Sequence, residues 1–290
     1  MILLTAQEWQ PLANAQRALA EEWTIPYRSR RARGTMHPVY DFLFIYYRFA
    51  PALLEHWHPP IGTILESSEY LPGYSDKYYT LSNDTVQLDL SKLDSKVRKR
   101  LQWSLDLCLA VRSRPPQFGC FGMHEWAMVY QGGLEGRARH EGTLPLRLPQ
   151  AEIDRTVESR PICCSHFDAF RFFTESALAF NRIQPSQDNR MQNEQCGCLH
   201  TNMDLYKWTA KCMPWVGSEL LWDTFEYAIS CREIDMRASP YDCQKLGYTP
   251  IRIETPEGRA AYDVEQDKLA DQSKALRNRL IDKLESVLSA

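Results

Sequence analysis

The sequence predicts a mainly α-helical protein: one large helical domain over residues 1–290, with a minor β element and a long C-terminal helix. Three observations predict it. Apolar residues recur at helical spacing in two long stretches, Leu93, Val97, Leu101, Leu105 and Leu109 in one and Leu269, Leu276, Leu280, Leu284 and Leu288 in the other. β-Branched runs are confined to short pieces at 63–65, 85–90 and 251–253, enough for a small sheet or ribbon. The chain of 290 residues, 44% hydrophobic and 24% charged, has the length and composition of a globular protein with a substantial core.

Residues 6–22, rich in Ala, Glu, Gln and Leu with Pro11 near the start, read as the first helix. "HPVYDFLFIYYRFAPALLEHW" is apolar nearly all round and predicts a buried helix, interrupted or ended near Pro51. Residues 92–112 carry the first leucine stripe. "PPQFGCFG" then reads as a loop, and "MHEWAMVYQGG" as a short helix stopped by glycine. Residues 131–160, with four Gly and two Pro in "QGGLEGRARHEGTLPLRLP", read as a surface excursion with a short strand near 144–148. At the C-terminal end Thr255, Pro256 and Glu257 form an N-cap with proline at the first helical position, and the second leucine stripe follows.

No apolar run approaches the roughly 18 residues that cross a bilayer, and "MILLTAQEWQ" lacks a basic leader and cleavage site, so a cytoplasmic protein without a membrane partner is expected. Nine cysteines, an odd number, point to reduced thiols. The net charge of -3 speaks against a nucleic-acid domain with a basic face. Two local clusters, Arg28, Arg30, Arg31 and Arg33, and Lys96, Arg98, Lys99 and Arg100, are either phosphate contacts or solvated helix faces. The 8 Trp, 14 Tyr and 11 Phe exceed what a core alone calls for, leaving rings for flat or cationic ligands.

Four His-carboxylate segments lie among these rings: His37 with Asp41, His124 with Glu125, His166 with Asp168, and His200 with Asp204. On a helix the i, i+4 pairs share a face, whereas His166 and Asp168 diverge unless a helix starts between them. A non-haem iron site needs two His and a carboxylate, and a zinc site needs tetrahedral N or S ligands. His37, Asp41, His124, His166 and His200 are the metal candidates, for Fe or Zn. The spacing adds no H-E-x-x-H, and Cys196 and Cys198 have no matching second pair. The bland alternative for each pair is a histidine satisfied by a carboxylate at the core edge. Base excision would instead use Asp168, Asp204 or Glu125 on the water or sugar, with Phe170, Tyr206, Trp208 and Trp126 holding the base. In "ISCREIDMRASPYDC" the acids and bases Arg232, Glu233, Asp235, Arg237 and Asp242 read as salt bridges at a helix end, or as an Arg237 aimed at an anion.

"HPVYDFLFIYYRFAPALLEHWHP", "GCFGMHEWAMVY", "CSHFDAFRFF", "GCLHTNMDLYKW" and "REIDMRASPYD", in that order from residue 37 onward, resemble a bacterial family common in actinobacteria and usually labelled 3-methyladenine DNA glycosylase. The resemblance implies a DNA-repair glycosylase that hydrolyses the N-glycosidic bond of an alkylated purine, with DNA as partner and no cofactor. The reading from the residues keeps a second class open, a metal-dependent enzyme on a small aromatic or nucleobase-like substrate, and a third, a ligand-sensing module.

Overall fold

Helix α1 (Ala6–Ala32) starts at a capping box, in which the backbone N–H of Thr5 donates to Glu8 Oε2 at 2.8 Å. It runs well past residue 22, with Pro11 and Pro26 inside it, because Trp9, Gln16, Ala20, Thr24 and Tyr27 keep one buried face along its whole length. Its last turn carries Arg30 and Arg31, where cations complement the helix dipole. The computed structural model describes residues 1–67, 74, 77–132 and 144–290, and these divide into two compact units.

The first unit comprises Met1–Cys108, Leu205–Glu226 and Leu276–Ala290. Its sheet has the order β1 (Ile2–Leu4), β2 (Thr63–Glu66), β4 (Thr85–Leu88), β3 (Tyr79–Ser82), with β1 parallel to β2 and the other pairs antiparallel. The β3–β4 hairpin turns through Asn83 and Asp84, both left-handed, as a two-residue loop of the favoured hand requires. The expected pieces at 63–65 and 85–90 thus fall in or on strands. The piece at 251–253 does not: Ile251 N–H goes to Arg237 O and Ile253 N–H to Ile251 O, so it is a turn with no neighbouring strand among the described residues.

The apolar stretch after His37 forms two short helices, α2 (Phe42–Tyr47) and α3 (Ala52–Glu55), in place of one, parted by a left-handed Arg48 and by Pro51. Helix α4 (Ser95–Arg112) is capped by Asp94, whose Oδ1 accepts from Val97 N–H at 2.7 Å. Leu43, Leu54, Leu65, Leu101, Trp215, Phe225, Leu280 and Leu284 are fully buried in this unit.

His58 sets one property of the first unit. Its Nδ1 lies 2.8 Å from Tyr79 Oη, and burial, then the nearby His56, push its pKa down to about 4. Between that value and about 6.5 the unfolded chain binds the proton and the native one does not, so stability falls as pH drops through this window. Between pH 7.5 and 4.5 we expect wild type to lose about 2 kcal/mol more than His58→Gln in urea unfolding. Equal losses would refute this assignment.

The second unit comprises Leu109–Asp204 and Tyr227–Ala275. It holds α5 (Met123–Ala127), α6 (Gln150–Glu158), α7 (Phe167–Phe170) and α8 (Arg190–Asn193), while the ranges of α4, α9 (Leu199–Lys211), α10 (Ser218–Ala238) and α11 (Pro256–Ser289) are divided between the units. Of the excursion expected at 131–160, residues 133–143 lie outside the described residues. The remainder corrects the expectation: Leu146 makes a lone bridge to Tyr241 instead of a strand, and α6 buries Ile153 and Val157 on one face. Helix α11 begins as its N-cap predicts, with Gly258 N–H donating to Thr255 Oγ1 at 3.0 Å. The mainly α class with a small sheet and a long C-terminal helix is therefore observed. No helix among the described residues is long and apolar enough to cross a membrane.

Candidate metal centre

Three local devices bring chemistry into the second unit. Phe121 and Gly122 are both left-handed (φ 49° and 67°), and they turn the "PPQFGCFG" loop into α5. A Cβ on Gly122 would find only ordinary contacts, at 3.8 Å from Tyr262 Oη and 3.9 Å from Asp235 Oδ1, so it is the backbone angle that calls for glycine. The turn delivers His124, Glu125 and Trp126, all buried. Gln195 fastens the loop before α9: its Oε1 accepts from Gln117 N–H (2.9 Å) and Gly197 N–H (2.6 Å), and its Nε2 donates to Gln117 O. That loop places Glu194 before the first turn of α9, which carries His200. The end of α10 supplies Arg232 and Asp235, one turn apart.

His124, His166 and His200 meet. The rings of His124 and His200 are 4.2 Å apart and those of His166 and His200 are 5.7 Å apart. Ligand atoms of His124, His200 and Asp235 lie within 4.8 Å of one another, and so do those of His166, Glu194 and Asp204. The two triads differ in geometry. His124 Nε2 is 3.4 Å from Asp235 Oδ1, and His200 Nε2 is 3.7 Å from Asp235 Oδ2. Both exceed the usual N–H···O length and approach the edge, about 3.4 Å, of a tetrahedron with 2.0–2.1 Å metal–ligand bonds.

His166 Nε2, by contrast, is a direct 3.0 Å from Asp204 Oδ2. Its Nδ1 accepts from Ala169 N–H at 3.3 Å as the N-cap of α7, which leaves the imidazole proton on Nε2, facing Asp204. A metal on Nε2 would need that proton on Nδ1. The second triad is thus a hydrogen-bonded pair with Glu194 beside it, and the first is the set with room for an ion.

Comparison of the chain with protein-family models, with curated proteins and with solved structures finds no match.

Charge separates the triads further. Arg232 Nη1 donates to Glu125 Oε1 (2.8 Å) and to Asp235 Oδ2 (2.6 Å). Arg190 spans Asp168 (2.7 Å) and Glu194 (3.2 Å). The buried carboxylates Glu125 and Asp235 thus share Arg232, while Glu194 and Asp204 share Arg190 with Asp168. For His124 burial opposes the proton, but Asp235, Cys120 and Glu125 together outweigh it and raise its pKa well above the ordinary value. Burial and then the His124 charge push His200 down to about 3. Cys120 abuts the same group: the hydrogen bond from Cys164 holds its thiol down to about 5, while Cys164 is pushed up by sharing that bond.

The expected site residues divide accordingly. His124, Glu125, His166, His200 and Asp204 come together. His200 and Asp204 share a face of α9 as their spacing predicts, but each turns to a different partner, Asp235 and His166. Asp168, two residues beyond the His166 cap, is taken by Arg190 and Arg171. His37 and Asp41 belong to the first unit: Asp41 accepts two bonds from Arg30 (2.8 and 2.5 Å), and His37 Nδ1 accepts from Tyr40 N–H. Among the rings, Trp126 donates Nε1–H to Ala238 O and Phe170 packs on Phe173. Tyr206 and Trp208 lie in the first unit, against Phe225 and Trp103. Asp235 and Glu194 were not among the expected site residues. Arg232 and Asp235 at i, i+3 carry the signal for the first, though the sequence offers the same pattern to an ordinary salt bridge.

Proposed function

We propose that the chain is an enzyme using one divalent first-row metal ion, held by His124, His200 and Asp235, on a small aromatic or nucleobase-like substrate. The observation that carries this is the buried two-histidine, one-carboxylate convergence at separations wider than a hydrogen bond. Such an ion polarises a substrate oxygen or lowers the pKa of a bound water. Glu125, 3.6 Å from His124 Nε2 and steadied by Arg232, is the carboxylate placed to take the proton.

The glycosylase activity implied by the resemblance asks for a ring-lined slot beside a carboxylate. Trp126 and Phe170 are instead engaged in packing, which favours the metal reading over it.

The test is elemental analysis of purified protein. About one equivalent of a first-row metal is expected, falling at least tenfold in His200→Ala while His166→Gln retains it. Metal-free protein that releases a base from alkylated DNA would overturn the reading in favour of the glycosylase.

A further inference from the structure

We propose that the first unit holds a second binding site, separate from the metal centre, for a small anion carrying a flat ring, with a nucleoside monophosphate as the chemical type. A cavity of about 650 Å³, within the range of small-molecule sites, is lined by Tyr27, Arg31, Thr35, Phe44, Arg48 and Phe49 among others. Its cations are available. Of the arginines in "YRSRRARG", Arg28 is paired with Glu55, Arg30 with Asp41, and Arg33 donates to Ser29 O. Among the described residues the side chains of Arg31 and Arg48 make no hydrogen bond or ion pair. The acid in the wall, Asp41, is buried and closed by both arms of Arg30, so the wall offers two guanidinium groups with no open carboxylate against them.

The rings supply the other half. Tyr27 and Phe44 stack at 4.6 Å with 17° between their planes, and Phe49 lies 6.2 Å from Tyr47. Between α2 and α3 the backbone of Arg48 is left-handed at φ 57°, a conformation L residues other than glycine adopt at a cost. That reversal sets Arg48 and Phe49 side by side in the cavity lining. Guanidinium groups bind phosphate oxygens through paired N–H donors, and a flat apolar wall takes the ring.

The experiment is calorimetric titration of chelator-treated protein with AMP, inorganic phosphate and adenosine at fixed ionic strength. Chelation removes a metal-bound phosphate from the result. AMP is expected to bind more tightly than either fragment, and Arg31→Gln and Arg48→Gln to weaken AMP binding about tenfold each, with melting temperatures unchanged because both side chains are exposed. Absence of saturation by 10 mM AMP would overturn the proposal. So would equal affinity for AMP and phosphate, or unaltered AMP affinity in the double variant.

Discussion

Replacing Arg232 by Met is expected to destabilise the metal-free protein by about 3–5 kcal/mol, the usual cost of stripping one partner from a buried ion pair. Arg232 is 1% exposed, and its Nη1 serves Glu125 and Asp235 together. Removing it leaves both carboxylates buried without their guanidinium, with His124 as the remaining neighbour that can carry a positive charge. Arg232→Lys should fall between, since an ammonium keeps the charge without the planar fork. Urea unfolding measures it, as a lowered midpoint at unchanged slope. The double variant Arg232→Met with Glu125→Gln should recover at least about 1.5 kcal/mol of the loss, because it removes one of the stranded charges. A loss under about 1 kcal/mol in the single variant would show that the two carboxylates do not depend on this cation.

The same triplet shows where the sequence stops being legible. Helices α4 and α11 are readable because their leucine stripes and caps are local: Asp94 and Thr255 each bond a backbone N–H three residues on. Strand β1 is not, since three residues carry no alternation and their partner β2 lies some sixty residues away. Ile251 and Ile253 have the β-branched composition of a strand and, among the described residues, no strand to pair with, so composition alone misleads. At the site, the shared face of His200 and Asp204 follows from their spacing, but the choice of partner does not. It depends on α10 bringing Asp235 and on the Gln195-fastened loop bringing Glu194, both tertiary events. The role of His166 turns on a single bond from Ala169 N–H, which no sequence pattern specifies.

Chelation is expected to lower the stability of the protein, and returning the ion to raise it again, by about 4 kcal/mol when free metal stands at 1,000 times its dissociation constant. On the proposed reading the ion would bind only the native chain, where His124, His200 and Asp235 already converge, since the unfolded chain offers no such set. Without the ion, Glu125 and Asp235 share the single guanidinium of Arg232, and the proton that they favour on His124 is the one a bound cation would displace. His200→Ala should therefore melt at the same temperature with and without chelator, whereas wild type shifts. His166→Gln should still shift, because its ring serves the helix cap and Asp204 in place of the ion. Thermal melts of the three proteins in chelator and in added Fe(II), Mn(II) or Zn(II) separate the cases. If wild type does not respond to any of these ions, the metal reading fails; if His166→Gln loses the response as His200→Ala does, both triads hold metal and the division between them is wrong.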